Sequence, residues 1–400
     1  MKEICILKNP IQYYTWGSHT AISELLGNPT PSEKPEAELW MGAHPSAPSE
    51  VLVDGQWKSL PELIDNLPVD ILGKRVAEKF SGKLPFLFKV LAAAKPLSLQ
   101  AHPSLDQAKQ GFARENRLGI PMTAPNRNYK DNNHKPEIIC ALTAFWTLNG
   151  FRKIDKIVYL LKEINPSGLL EEIKELEKNL DSNGLKNFFS TIMTMDEKKK
   201  EHIVEEAIGF VEKRFDENPV FEWMLKLNAE YPGDIGILSP VLLNLVKLEP
   251  GQAMFLYSGQ LHTYLEGVGI ELMANSDNVL RGGLTPKHID VAELLRILHF
   301  NEKEIEILET KDKTDGERKY ASNAEEFRLS IITVNTSTSY ISPEDRSVEI
   351  MICMSGKATL KNLENDKVLE LRKGVSTLVP AGVHQYSIEG EALLYKASVP

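Results

Sequence analysis

The sequence predicts a mainly β chain, with two β domains and an α-helical domain inserted into the first. Two changes of hydrophobic period and one repeated glycine–histidine frame point to this. Over residues 1–150, short apolar runs such as LPFLFKVL and EIICALTAFWTL alternate with turn-rich segments like GNPTPSEKPEAE, the pattern of strands joined by loops. From Phe151 the period changes. Ile157, Leu160, Leu161 and Ile164 take helical spacing, NPSG punctuates, and Leu169, Leu170, Ile173 and Leu176 resume it, with Glu171, Glu172, Lys174 and Glu175 outside. The helical pattern runs through EEAIGFVEKRF to about Tyr231 and stops at YPGDIG. Strand character returns in VKLEPGQAMFLYSGQLHTYLEG. The polar stretch ETKDKTDGERKYASNAEE then marks a boundary near 310–326. Short strands with turns fill 327–400, among them VEIMICMSGKATL and LRKGVSTLVPAGVHQYSI. The expected units are therefore 1–150 with 236–309, an insertion at 151–235, and 310–400.

The repeated frame narrows the fold. Gly251 is followed eight positions on by Gly259 and then His262; Gly374 is followed at the same interval by Gly382 and then His384. Each places a strand, a tight glycine turn and a histidine opening the next strand. That arrangement is familiar from cupins, the small barrels of the jelly-roll class.

Composition bounds the function. Four hundred residues with 42% hydrophobic and 26% charged describe an ordinary globular chain. A net charge of −10 without a Lys/Arg block argues against nucleic acid. No run approaches the ~20 apolar residues of a membrane span, and the N-terminus lacks a long apolar signal region. Three cysteines, Cys5, Cys140 and Cys353, make no CxxC motif, so a reducing cytoplasm is the expected compartment.

The stretch PLSLQAHPS (96–104) carries the first chemistry. Gln100 and His102 are two apart on an expected strand, so they share a side about 7 Å from each other. In DNNHKPEIIC, Glu137 opens a strand after the extended Lys135–Pro136 step. In GQLHTYLEG, His262 follows a glycine turn. Two imidazoles, a carboxylate and an amide oxygen suit a divalent borderline metal with room for water or a substrate hydroxyl. The same residues also read as a hydrogen-bonded strand histidine and a glutamate paired with Lys135. In ELMANSDNVLRGGLTPKHID, the turn formers Asn275, Ser276, Gly282 and Gly283 predict a loop carrying Glu271, Asp277, Arg281 and Lys287. Arginine there suits phosphate or a developing oxyanion; a solvated connector is the plainer alternative.

These segments resemble type I phosphomannose isomerases. LPFLFKVLAAAKPLSLQAHP, RNYKDNNHKPE, LHTYLEG and ANSDNVLRGGLTPKHID are similar to that family's motifs nearly letter for letter, and YTWGS and AELWMGAHPSAPS match its N-terminal region. The resemblance implies a catalytic cupin domain, a helical insertion and a second, cupin-like β domain. It implies one Zn2+ per chain on Gln100, His102, Glu137 and His262. Arg281 falls on the family's active-site arginine, His134, Lys135 and Asp277 on further catalytic positions, and Lys89, Ser98 and Lys287 on substrate or phosphate positions. The implied substrate pair is mannose 6-phosphate and fructose 6-phosphate, interconverted through a cis-enediol by a soluble monomer or weak homodimer. One departure is Ser104–Leu105, where the family carries Asp or Asn and then Lys.

Such a reaction needs ring opening, removal of a carbon proton and stabilisation of the enediolate. Arg281 suits the enediolate or the phosphate, and the pattern does not rank His134, Lys135 and Asp277. The second β domain, with His384 but no Gln-x-His pair, is expected to bind no metal. Two rivals remain at this level: a non-haem iron oxygenase built on His102, Glu137 and His262, and a non-catalytic sugar-binding cupin.

Overall fold

The protein was described from a computed structural model covering residues 2–310 and 316–400; part of the expected polar boundary, 311–315, lies outside the described residues. Two antiparallel sheets, each ten-stranded among those residues, organise the chain. In the first, the long strand His262–Ala274 is the spine. It pairs with Phe145–Phe151 at one end and with Phe86–Ala93 and Glu137–Ala141 at the other. It changes partners where the register slips between Tyr264 and Glu266, next to Gly267 at φ 132°. A Cβ on Gly267 would lie 2.7 Å from the Ala144 carbonyl oxygen, so the close approach requires glycine. Phe86–Ala93 is buried at every position and is apolar except for Lys89.

The helical insertion forms as its spacing predicts. Ile154–Ile164, Leu170–Lys178, Ser182–Thr194, Glu197–Val211 and Pro219–Glu230 are helices. The side chains of Asp181, Asp196 and Asn218 accept hydrogen bonds from free N–H groups at three of their N-termini. Their apolar faces share one core with Leu99, Ala101, Leu261 and Leu265. These four residues, three in strands and Leu261 just before one, flank or alternate with Gln100 and His262, so the insertion covers one face of the strands and leaves the ligand-bearing side chains to the other.

Three sequence expectations need correction, one of them in the second sheet. Short helices at Ala21–Leu26, Leu60–Asn66, Pro68–Leu72, Lys74–Lys79 and Leu105–Arg117 interrupt the β-rich first segment. Leu60, Ile64, Ile71, Leu72 and Val76 point inward from them. The departure at Ser104 is a helix start: Ser104 Oγ accepts from Gln107 N, and Gln107 Oε1 accepts from Ser104 N, a capping box. The stretch ELMANSDNVLRGG is also less loop-like than its turn formers suggest. Glu271 lies on the spine strand and Arg281 on the strand Leu280–Gly283.

In the second sheet, VEIMICMSGKATL is not a set of short strands but one 14-residue strand, Glu349–Asn362. It runs beside Tyr386–Ser398, with an irregularity between Cys353 and Ser355 and Gly356 at φ 78°. The N-terminal strand Cys5–Lys8 joins this sheet, pairing with Ser376–Val379 on one side and Glu50–Val53 on the other. Phe86, Phe88, Ile138 and Leu272 of the first sheet pack with Phe327, Ile350, Ile352 and Tyr395 of the second in one core.

Candidate metal centre

Strand pairing sets a row of side chains across the first sheet. Arg281 pairs with Gln100, Gln100 with His262, and His262 with Asn149. His102 follows Gln100 on the same side. Glu137 opens a neighbouring strand opposite Leu256 and Met273. The glycine turn before His262 is tied in as well, because Gly259 N donates to the His102 carbonyl at 2.8 Å.

His102, Glu137 and His262 converge, with ligand atoms all within 4.8 Å of one another and all three residues buried. His102 Nε2 lies 3.4 Å from one Glu137 oxygen and His262 Nε2 lies 3.6 Å from the other. Ligands bonded at 2.0–2.1 Å to a tetrahedral ion stand about 3.3 Å apart, close to both spacings. The tautomers agree. His102 Nδ1 is 2.8 Å from the Asn278 carbonyl and His262 Nδ1 is 3.0 Å from the Gln260 carbonyl. A carbonyl only accepts, so each Nδ1 carries the proton and each Nε2 presents a lone pair to the cluster. His102 Nε2 is buried without a hydrogen-bond partner. Burial pushes the His102 imidazolium down to about 4, so the ring is neutral near pH 7. Burial alone would raise Glu137, but Lys135 and His102 outweigh it and hold the carboxyl well below its ordinary value. These residues fit a divalent metal ion.

The cluster borders a cavity of about 50 Å³ lined by Gln100, Lys135, Glu137, His262, Lys89 and Glu38, among others. Lys135 Nζ is 3.2 Å from Glu137. Lys89 is buried with its ammonium 2.7 Å from Glu271 and 3.4 Å from Glu38. Its own burial opposes the charge, yet Glu271 and Glu38 push its pKa up. Arg281 makes no ion pair among the described residues, and burial lowers its pKa; it is a half-buried cation without a counter-charge. Lys287 is exposed, and burial and Arg281 lower its pKa.

Other sequence-selected residues point elsewhere. His134 Nε2 is 2.7 Å from Glu326, at the edge of the second β unit. Asp277 is held 3.3 Å from His44 Nε2, and that contact lowers its pKa. Ser98 is half-buried just before the strand Leu99–Ala101 and does not line the cavity. Sequence reading missed Glu38, His44 and Glu326. Glu38 had a signal, a carboxylate set in the apolar run AELWMG, whereas Glu326 is joined to His134 only by the tertiary fold.

A cupin barrel with a buried pair of histidines and one carboxylate defines a metal-binding cupin, and comparison with known proteins narrows it. Models of the phosphomannose isomerase type I catalytic domain and helical insertion domain match residues 4–154 and 160–243, and a mannose-6-phosphate isomerase cupin-domain model matches 316–398. Mannose-6-phosphate isomerase of Escherichia coli K12 is 41% identical over 392 residues, 97% of each chain. The Homo sapiens protein of that name is 37% identical over 72% of this chain and 71% of its own. A solved zinc-bound mannose 6-phosphate isomerase superposes with a TM-score of 0.90 at 37% identity, covering 99% of each chain. A mutant phosphomannose isomerase from Salmonella typhimurium gives 0.91 with the same identity and coverage. The chain belongs to the type I phosphomannose isomerase family.

Proposed function

We propose that this protein is a zinc-dependent aldose–ketose isomerase interconverting mannose 6-phosphate and fructose 6-phosphate through a cis-enediol. The observation that carries the reading is the buried His102–Glu137–His262 cluster, with its Nε2 lone pairs turned inward beside a small polar cavity. His102, Glu137 and His262 would hold the ion, with Gln100, whose backbone pairs with His262 and which lines the cavity, as fourth ligand. When bound, zinc supplies Lewis-acid polarisation of substrate oxygens.

The chain's own groups do the rest. Arg281, lacking a counter-charge, takes the enediolate or the phosphate, where a preorganised cation acts on charge as it develops. Lys287 adds positive charge near Arg281, and Ser98, outside the cavity lining, is a substrate-binding candidate on the family motif alone. Lys135, against Glu137, stands where a proton donor can serve the sugar oxygens. Lys89, held between Glu271 and Glu38, is kept charged for substrate binding. His134 and Asp277 are the remaining acid–base candidates for ring opening, each already paired, with Glu326 and His44. The units 1–150 with 236–309, 151–235 and 310–400 would serve as catalytic, inserted and supporting domains. Three buried free cysteines suit a reducing cytoplasm.

The test is a coupled assay on mannose 6-phosphate with the purified protein, after exhaustive chelation, and after zinc add-back. Turnover that disappears with chelation and returns with zinc is expected. Turnover indifferent to chelation, or none on this substrate, overturns the reading.

A further inference from the structure

Asn278 lies between two parts of the site, touching His102 through its backbone carbonyl and the segment 130–133 through both atoms of its side-chain amide. It is fully buried, at 0% exposure. Its backbone carbonyl accepts from His102 Nδ1 at 2.8 Å. Its side-chain oxygen accepts from the backbone N–H groups of Lys130 and Asp131 at 2.7 and 3.2 Å. Its side-chain nitrogen donates to the carbonyls of Asp131 and Asn133, both at 2.9 Å, and approaches the Asp131 carboxylate at 3.1 Å. Both ends of the amide are therefore used against one short piece of chain, 130–133, which leads directly into His134, Lys135 and Glu137.

The same junction is reinforced from the Asp131 side. Asp131 accepts from Ser276 Oγ at 2.9 Å and from Asp277 N at 2.7 Å. Ser276 Oγ in turn accepts from Asn278 N at 3.2 Å. Two segments about 145 positions apart in sequence are thus locked by side chains rather than by a strand ladder. Neither lies within a strand, since the spine ends at Ala274, the next strand begins at Leu280, and the strand opened by Glu137 starts after the lock. Loops have no regular hydrogen-bonding pattern to fix their separation, so the amide supplies it.

The geometry points to Asn278 as a positioning residue that couples the orientation of His102 to the placement of Lys135 and Glu137. The inference rests on the zinc isomerase reading. The carbonyl that fixes the His102 ring and the amide that fixes the 130–133 segment belong to one residue, so neither group moves without the other. Only an amide meets the requirement. A carboxylate at 278 could still accept from Lys130 N and Asp131 N, but its second oxygen would face two carbonyls and the Asp131 carboxylate, acceptor against acceptor.

The experiment compares Asn278→Asp and Asp131→Asn with the unaltered full-length enzyme. The first readout is zinc affinity of the metal-free proteins by chelator competition, together with their thermal midpoints. The second is kcat and KM on mannose 6-phosphate at saturating zinc. Outer partners of metal ligands typically change metal affinity or activity by about 10- to 100-fold. Asn278→Asp is expected to bind zinc at least about 10-fold more weakly and, once saturated, to lose kcat by a similar factor with little change in KM. Asp131→Asn, which keeps the shape of the junction, should move both quantities in the same direction by less. If Asn278→Asp does not fold, Asp131→Asn decides alone. A folded variant with unaltered zinc affinity and kcat overturns the proposal. So does a loss of kcat that merely tracks a smaller folded fraction. Failure of the unaltered enzyme to bind zinc or to turn over substrate is a different result, and refutes the isomerase reading itself.

Discussion

The two β units each bury a lysine between two carboxylates, and the surroundings of the two charges differ. In the first, Lys89 sits 2.7 Å from Glu271 and 3.4 Å from Glu38, at the edge of the cavity that holds Glu137 and His262. In the second, Lys396 is 3.0 Å from both Glu317 and Glu349. There Lys396 also donates to the Tyr340 hydroxyl at 2.9 Å, Tyr386 donates to Glu349 at 2.7 Å, and Arg346 lies 3.5 Å from the same carboxylate. That interior is closed by aromatic rings and aliphatic side chains such as Val334, Met351 and Ile388. The second unit's His384 is largely exposed, 3.9 Å from Glu364, and takes no part in the buried cluster. Buried charge alone thus does not distinguish a site from a scaffold. The difference lies in the ligand groups: in the first unit His102, Glu137 and His262 converge beside a cavity, and His102 Nε2 is left without a hydrogen-bond partner.

The contrast can be attacked at either end. Replacing Glu137 with Ala in the first unit should abolish stoichiometric zinc and lower kcat/KM by more than about 1000-fold, since it removes the only anionic ligand. Metal analysis and kinetics check it, and the same measurements on Glu349→Gln should show zinc content unchanged. Arg281→Ala should lower kcat by about 100- to 1000-fold with a much smaller rise in KM, as for loss of a preorganised group facing developing charge. An unchanged kcat with weaker binding would make Arg281 a phosphate clamp instead. In the second unit, Lys396→Met removes the ammonium 3.0 Å from both Glu317 and Glu349 and should cost about 3–5 kcal/mol of stability by denaturant titration. Zinc affinity should survive it in whatever fraction stays folded.

The smallest expected effect is on acid stability. Burial works to raise Glu317, but Lys396 outweighs it and leaves the carboxyl below its ordinary value of 4.5. A depressed carboxylate contributes stability that is complete above its unfolded pKa and is lost as pH falls through the lower folded value. The thermal midpoint should therefore hold from neutral pH to about 5 and fall below that. Lys396→Met should weaken this acid dependence, because it removes the largest of the influences that lower the Glu317 pKa.

Much of the first unit's site was legible in the sequence because its parts are local. Gln100 and His102 share a strand side by simple alternation, and His262 follows a glycine turn that the structure confirms at Gly259, φ 75°. The helical insertion was legible for the same reason, since Ile157, Leu161, Ile164, Ile173 and Leu176 bury themselves on a 3.6-residue period. The helices between Leu60 and Lys79 were missed because each spans only two turns or fewer, too short for a period to stand out among strands. The pairing of His134 with Glu326, 192 positions away, leaves no trace in either neighbourhood. Asn278 drew no reading of its own, lying in a run whose turn formers predicted a loop. Its use as a lock depends on Asp131 and Lys130 arriving beside it.

The pairing of Cys5–Lys8 with Ser376–Val379 has a consequence for biogenesis. Residues 5 and 6 leave the ribosome well before residues 377 and 378, which match them. At translation rates of about 5–20 residues per second, that strand waits roughly 20–70 seconds for its partner. Until then the backbone groups of Cys5 and Ile6 that face this partner are open to other chains. Whatever shields this nascent edge in the meantime, the sheet closes only once residues 376–379 have been made.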